Sequence, residues 1–131
     1  MTAFAPIAAI PGVRLIGLQM NAGVEQLESC GFSLETLGPD YAPGRDAFLD
    51  TLAVMENLDL IISPDTSIAH VAGALGRPSW VALKFVPDWR WMMAGKGTPW
   101  YPSMRLFRRT KADDWSGVVR RMHDELQWRG L

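Results

Sequence analysis

The feature that most restricts the fold of this chain is the stretch between Leu58 and Leu83, where two apolar runs flank a helix built on small residues. Leu58-Asp59-Leu60-Ile61-Ile62 is interrupted only by Asp59, and Trp80-Val81-Ala82-Leu83 is apolar throughout. Runs that are apolar at successive rather than alternate positions suit strands buried on both faces. Between them stand Ser63-Pro64-Asp65 and a predicted helix from about Thr66 to Leu75, ended by Gly76 and stopped by Pro78. Ala69, Ala72, Gly73 and Ala74 let that helix lie close to a sheet. Strand, covering helix and second buried strand are the parts of a parallel β-α-β unit.

The rest of the chain repeats this alternation. Val13 to Leu18, entered from Pro11-Gly12, predicts a first strand, and Leu34 to Leu37 a weaker second. The polar turn Gln19 to Gly23 leads into a short helix over Val24 to Cys30, ended by Gly31. Asp46 is placed to cap a helix through about Asn57, whose apolar residues are Phe48, Leu49, Leu52, Ala53 and Met55. Met104 to Phe107 predicts a last strand and Asp114 to Trp128 a last helix, with Trp115, Val118, Val119, Met122 and Leu126 on one face. The expected fold is therefore α/β, a single Rossmann-like, doubly wound parallel sheet. With 131 residues the chain is expected to form one domain over 1–131, the Ala/Pro-rich residues 1–12 being a linker or the remnant of a helix.

Several function classes fall away. Thirteen Lys+Arg against fourteen Asp+Glu, a net charge of −1, lack the basic excess of a nucleic-acid binder. A lone cysteine, Cys30, permits no internal disulfide and reads as a small buried hydrophobe. His70 and His123 have no zinc-type spacing, so no metal is expected. No run approaches the roughly 20 apolar residues of a membrane span, and the apolar start lacks the basic region of a signal peptide. A cytoplasmic location is the default. Neither GxGxxG nor GxxxxGK[ST] occurs.

In a parallel sheet, ligands bind at the carboxyl ends of the strands, against helix N-termini. That directs attention to Ser63-Pro64-Asp65-Thr66-Ser67-Ile68-Ala69-His70. Asp65 stands where an N-cap is expected, the N–H groups near Thr66, Ser67 and Ile68 form an anion site, and the Thr66 and Ser67 hydroxyls would add two donors. His70, three residues after Ser67, shares its face. The plain alternatives stay open: Asp65 as an ordinary cap, Thr66 and Ser67 as common first-turn residues, His70 as a structural histidine. A hydrolase triad of Asp65, Ser67 and His70 is disfavoured, because all three would lie on one turn without a GxSxG elbow.

The stretch Leu58 to Pro78, with its apolar strand, Asp-Thr-x-x-x-His, small residues and Gly-x-Pro, resembles the nucleotide-sugar signature of the heptosyltransferase-like glycosyltransferases of family 9. Phe85-Val86-Pro87-Asp88-Trp89-Arg90-Trp91 and Pro99 to Arg108 are similar to the C-terminal domain of bacterial tetratricopeptide-repeat glycosyltransferases, as are Pro11 to Gln19 and Glu25-Gln26-Leu27. The resemblance implies the donor-binding half of a GT-B enzyme, whose active site lies between two Rossmann-like domains. Its donor-binding residues would be Asp65, accepting from a sugar or ribose hydroxyl, Thr66 and Ser67, receiving the diphosphate, and His70, with Lys84, Asp88 and Arg90 beyond the next strand. The substrate would be a nucleoside-diphosphate sugar, with no cofactor and no metal. The acceptor domain and catalytic base would lie elsewhere, so no catalytic residue is assigned here. Transfer would need a separate acceptor-domain or repeat-containing polypeptide, or a homo-oligomer. The competing class is a degenerate half-enzyme serving as a protein interaction module.

Two departures from the family pattern bear on this. Met20 stands where related sequences carry a phosphate-facing Lys, a loss worth roughly 1.5–3 kcal/mol of binding; Lys84 stands where Pro is usual and is a candidate to compensate. The segment Lys84 to Tyr101 is expected to be a long loop beside the ligand. All six tryptophans follow residue 79, and Trp89, Trp91 and Trp100 fall on this loop. They form either an aromatic wall for base or sugar, with Arg90 as a phosphate partner, or a flap packed on a missing domain. Trp80, Trp115 and Trp128 are assigned to ordinary burial, and Arg105, Arg108, Arg109 and Lys111 to a solvated edge.

Overall fold

A computed structural model describes residues 2–18, 25–38, 40–41, 47–112 and 114–130. The chain divides into two compact units, Met1–Thr51 with Trp115–Leu131, and Leu52–Asp114. The polar turn after the first strand, Met20 within it, and the Asp46 cap lie outside the described residues.

The first unit holds α1 (Ala5–Ala8), β1 (Ile16–Gly17), α2 (Glu25–Glu28), β2 (Glu35–Thr36), the start of α3 (Ala47–Glu56) and α5 (Trp115–Trp128). Strands β1 and β2 pair in parallel, Ile16 opposite Glu35. Arg14 clasps Glu35 with two hydrogen bonds of 2.8 and 2.7 Å at the surface. The N-terminal segment is helical rather than extended. Pro6 sits in the first turn of α1, where a missing N–H costs nothing, and Ile7 is buried. Helix α1 packs against α5. In α5 the buried face is Gly117, Val118, Val119, Met122 and Leu126. The expected burial of Trp128 is overturned: it is 83% exposed, because it lies about 200° around the helix from Leu126. Trp115, in the first turn, also keeps 38% of its surface. Cys30 is buried, its thiol donating to the Phe32 carbonyl.

The second unit holds the end of α3, β3 (Ile61–Pro64), α4 (Ser67–Ala74), β4 (Ser79–Leu83) and β5 (Met104–Arg108). The order is β3-β4-β5 and both pairings are parallel, with Pro64 opposite Ala82 and Leu83 opposite Arg108. The parallel α/β class holds. The five strands hydrogen-bond as a pair and a triplet, all in parallel, among the described residues. Strand β3 begins later than the apolar run suggests. The Asn57 and Leu58 N–H groups close the last turn of α3 on Val54 and Met55, so pairing starts only at Ile61, whose N–H donates to Pro78.

Helix α4 ends as expected. Gly76 takes φ +68°, its N–H bonding Gly73 and the Arg77 N–H bonding Ala72, a Schellman closure that Gly permits and Pro78 prevents from continuing. One sheet face packs Val81, Leu83, Met104 and Leu106 against Ala69 of α4 and Trp91. Trp91 comes from the β4–β5 crossover, where a parallel connection usually places a helix. Here the crossover contains only a 3-10 turn, Trp89–Trp91, and a single indole fills the core position. Arg108 fastens this crossover, donating to the carbonyls of Trp91, Met92 (2.8 Å), Ala94 (3.3 Å) and Gly95 (2.9 Å). Its expected place on a solvated edge is therefore corrected, and burial lowers its pKa.

Candidate site at the turn between strand three and helix four

Strand β3 ends at Pro64 and α4 begins at Ser67, so Asp65 and Thr66 make the turn at the carboxyl edge of the sheet. The N-cap is Thr66, with extended backbone (φ −139°, ψ 174°), not Asp65. Nor does the Thr66 hydroxyl cap the helix. The buried Ser63 hydroxyl donates to the Pro64 carbonyl (2.9 Å), which leaves Thr66 Oγ1 as the donor to Ser63 Oγ (3.0 Å). Thr66 thus faces outward as an acceptor, correcting its expected role as a donor. With no side-chain cap, the first-turn N–H groups of Ser67 and Ile68 have no intrahelical partner. Helix dipole and free N–H groups together favour an anion at this end. Ser67 is exposed beside them.

Asp65, freed from capping, lies 3.9 Å from His70, Oδ1 to Nε2, with both side chains partly accessible. The other ring nitrogen, Nδ1, is 3.0 Å from the Tyr101 hydroxyl. The imidazole stacks on Trp91 (centroids 5.3 Å apart, 25° between planes) and meets the Tyr101 ring edge-on at 5.8 Å. Trp91 is fully buried, so it is a floor beneath His70 and not part of an exposed aromatic wall. Tyr101 in turn lies on Gly73. A Cβ there would fall 2.6 Å from Tyr101 Cδ1, 2.9 Å from Cδ2 and closer still to Cγ.

The three candidates beyond β4 are placed differently. Because Pro64 pairs with Ala82, Asp65 and Lys84 leave the sheet at the same edge, and Lys84 is exposed there. Asp88 caps the 3-10 turn, accepting from the Arg90 N–H at 3.1 Å and from its guanidinium at 2.9 Å. Those bonds, led by the backbone one, hold its carboxyl below the usual range, and the charge of His70 adds a smaller pull in the same direction. Arg90 also lies over the Trp89 ring at 4.9 Å. Asp88 and Arg90 are thus paired with each other, while Asp65 and His70 form the cluster at the turn. Trp89 and Trp100 are exposed and meet edge-to-face at 6.3 Å.

Trp91 and Tyr101 were legible only as loop aromatics; their grouping around His70 comes from the crossover path, for which the sequence carries no periodic signal. Among the described residues, no group of three His, Cys, Asp or Glu is placed to hold a metal ion.

Residues 13–83, more than half of the chain, match the family described as glycosyltransferase family 9 (heptosyltransferase). The chain belongs to glycosyltransferase family 9. The family match contains Asp65, Thr66, Ser67 and His70, whereas Lys84, Asp88, Arg90 and Tyr101 lie beyond its end. The chain is also similar to Protein FlbA of Caulobacter vibrioides (strain ATCC 19089 / CIP 103742 / CB 15), 27% identical over 127 residues. That alignment covers 93% of this chain and 20% of FlbA, so the chain spans about one fifth of that relative's length. No solved structure matches the chain significantly. No helix among the described residues is long and apolar enough to cross a membrane.

Proposed function

We propose that this family 9 chain is a nucleotide-sugar (donor) binding domain, of the kind joined to tetratricopeptide repeats, and that it works in the cytoplasm. The observation that carries this reading is the uncapped start of α4, where the Ser67 and Ile68 N–H groups stand one turn from His70 within the stretch that matches the family. A nucleoside diphosphate placed there would meet two backbone donors, the positive end of the helix and an imidazole. Asp65 would accept from a sugar or ribose hydroxyl, and Lys84, at the same sheet edge, would add a charge to the phosphates. Arg90 would join them by exchanging Asp88 for phosphate. Stabilising a departing diphosphate with oriented N–H groups is electrostatic catalysis that requires no metal. The acceptor site and the base would come from another domain, a repeat-containing polypeptide or a second copy.

Calorimetric titration with UDP-, ADP- and GDP-sugars tests this. One of them binds, and His70→Ala combined with Asp65→Asn weakens it at least tenfold. No binding by the wild-type chain, or equal binding by the double variant, removes the assignment.

A second reading, an interaction module, is favoured by one observation. Phe85, Val86, Trp89, Met92, Met93 and Trp100 are all exposed on one crossover. Self-association seen by light scattering, lost in Trp89→Ser with Trp100→Ser and indifferent to nucleotide, would support that reading over the first.

A further inference from the structure

The imidazole of His70 is held between two groups of different hydrogen-bonding character. On its Nε2 side lies the Asp65 carboxylate at 3.9 Å, which can only accept. On its Nδ1 side lies the Tyr101 hydroxyl at 3.0 Å, which can donate or accept. A neutral imidazole carries one N–H. Placed on Nδ1, it would leave the Nε2 lone pair facing the carboxylate. Placed on Nε2, it turns the N–H toward Asp65 and lets the tyrosine donate to Nδ1. The second arrangement keeps the tyrosine hydrogen bond and points the N–H, rather than a lone pair, at the carboxylate 3.9 Å away.

We propose that Tyr101, acting together with Asp65, is a positioning residue that holds His70 as the Nε2–H tautomer, with that N–H offered to the anion of the bound donor. The role in donor binding rests on the reading above; the tautomer does not. Three further contacts fix the geometry. Trp91, fully buried, supports one face of the imidazole. The Tyr101 ring abuts its edge. The missing side chain of Gly73, three residues after His70 and therefore on the same helix face, lets the tyrosine ring lie against α4 so that its hydroxyl reaches Nδ1. Stacking on Trp91 and the hydrogen bond to Tyr101 favour this orientation of the ring. On protonation, Nδ1–H donates to the same hydroxyl, so the orientation persists in both charge states. The acids facing this change are Asp65, and Asp88 through its weaker field.

The test uses the full chain labelled with 15N. Only His70 and His123 contribute imidazole signals, and His123→Gln assigns them. At about pH 8, long-range 1H–15N correlation should show His70 as a single tautomer, protonated at Nε2. Tyr101→Phe keeps the ring on Gly73 but removes the hydroxyl, and should leave His70 a mixture of tautomers. A wild-type His70 protonated at Nδ1, or a variant spectrum unchanged from the wild type, overturns the proposal. UDP is the binding probe. Tyr101→Phe should weaken it about fivefold, the loss expected for one neutral hydrogen bond, and equal affinity contradicts the positioning role in binding. If the wild-type chain does not bind UDP, the failure belongs to the UDP donor assignment, and the tautomer measurement still decides the role of Tyr101.

Discussion

Gly73→Ala is the substitution whose outcome the structure constrains most tightly. In an unobstructed helix interior this change stabilises by about 1 kcal/mol, because alanine has less backbone freedom to lose. At position 73 the new methyl overlaps the body of the Tyr101 ring, with Cδ1 at 2.6 Å and Cδ2 at 2.9 Å from it. Those atoms are not the free end of a flexible side chain. The ring is held by its hydroxyl at His70 and by a tilted contact with Trp91 at 6.4 Å. Overpacking of this kind costs about 1–3 kcal/mol, and an overlap with a fixed ring belongs at the upper end. About 3 kcal/mol lost against about 1 gained leaves a net destabilisation of about 2 kcal/mol. With a urea slope of about 1–3 kcal/mol per molar, the unfolding midpoint falls by about 1 M.

The decisive measurement is the sign of the same change in a second background. In Tyr101→Ala the obstruction is gone, and Gly73→Ala should then stabilise by about 1 kcal/mol, a coupling of about 3 kcal/mol between the two positions. Urea unfolding of the four proteins, followed by tryptophan fluorescence, completes the cycle. If Gly73→Ala is neutral or stabilising in both backgrounds, with a coupling below about 0.5 kcal/mol, the close approach of Tyr101 to α4 is wrong, and the support of His70 falls with it.

Three other outcomes follow from the same geometry. Arg108→Met keeps the aliphatic stem but frees the carbonyls of residues 91, 92, 94 and 95; it should lower the opening energy of the crossover by about 2 kcal/mol, giving about thirtyfold faster amide exchange there, and unchanged exchange would show that the arginine does not fasten it. Because the folded-state pKa of Asp88 is depressed, its cap is present at neutral pH and is lost only as pH falls through that lowered value; the Arg90 amide shift should therefore titrate below the usual aspartate pKa of about 3.9, and a midpoint at or above that value contradicts the cap. Met122→Ala, at a fully buried position of α5, should cost about 2–5 kcal/mol, whereas Trp128→Gln should change stability by no more than about 0.5 kcal/mol, a ranking that thermal unfolding checks directly.

What was legible in the sequence was the part governed by local chemistry. Continuous apolar runs mark β4 and the presence of β3 though not its start, small residues mark α4, and Gly76 with Pro78 mark its end, because each depends on neighbours within a few positions. The errors have two causes. Asp65 has the composition of an N-cap, yet Thr66 takes that place, since the strand runs on through Pro64 and the buried Ser63 hydroxyl claims Thr66 instead of leaving it to the helix. Trp91 reads like its loop neighbours Trp89 and Trp100, yet it alone is buried, because only the path of the crossover decides which indole meets the sheet. Arg108 reads as part of a basic edge, yet it bonds carbonyls that stand 13 to 17 residues earlier. The Trp91 and Arg108 misses turn on contacts between segments distant in sequence, which composition and period do not encode, and the cap turns on a local hydroxyl pair three residues apart.

The crossover also explains why the candidate site needs so few dedicated residues. A parallel return from β4 to β5 without a helix must cover the sheet by other means. Trp91 does so, and its indole simultaneously becomes the surface on which His70 stacks. Tyr101, near the far end of the same crossover, packs against that core and reaches His70 Nδ1. The element that completes the fold of this unit is therefore the one that orients the imidazole at the start of α4. Loosening the crossover should disturb the site before it disturbs the strands. In Arg108→Met the His70 tautomer should become mixed while the amides of Ile61 and Arg109, which donate to Pro78 and Leu83 across the sheet, keep their protection. Loss of strand protection in step with the tautomer change would show instead that crossover and sheet open as one cooperative unit.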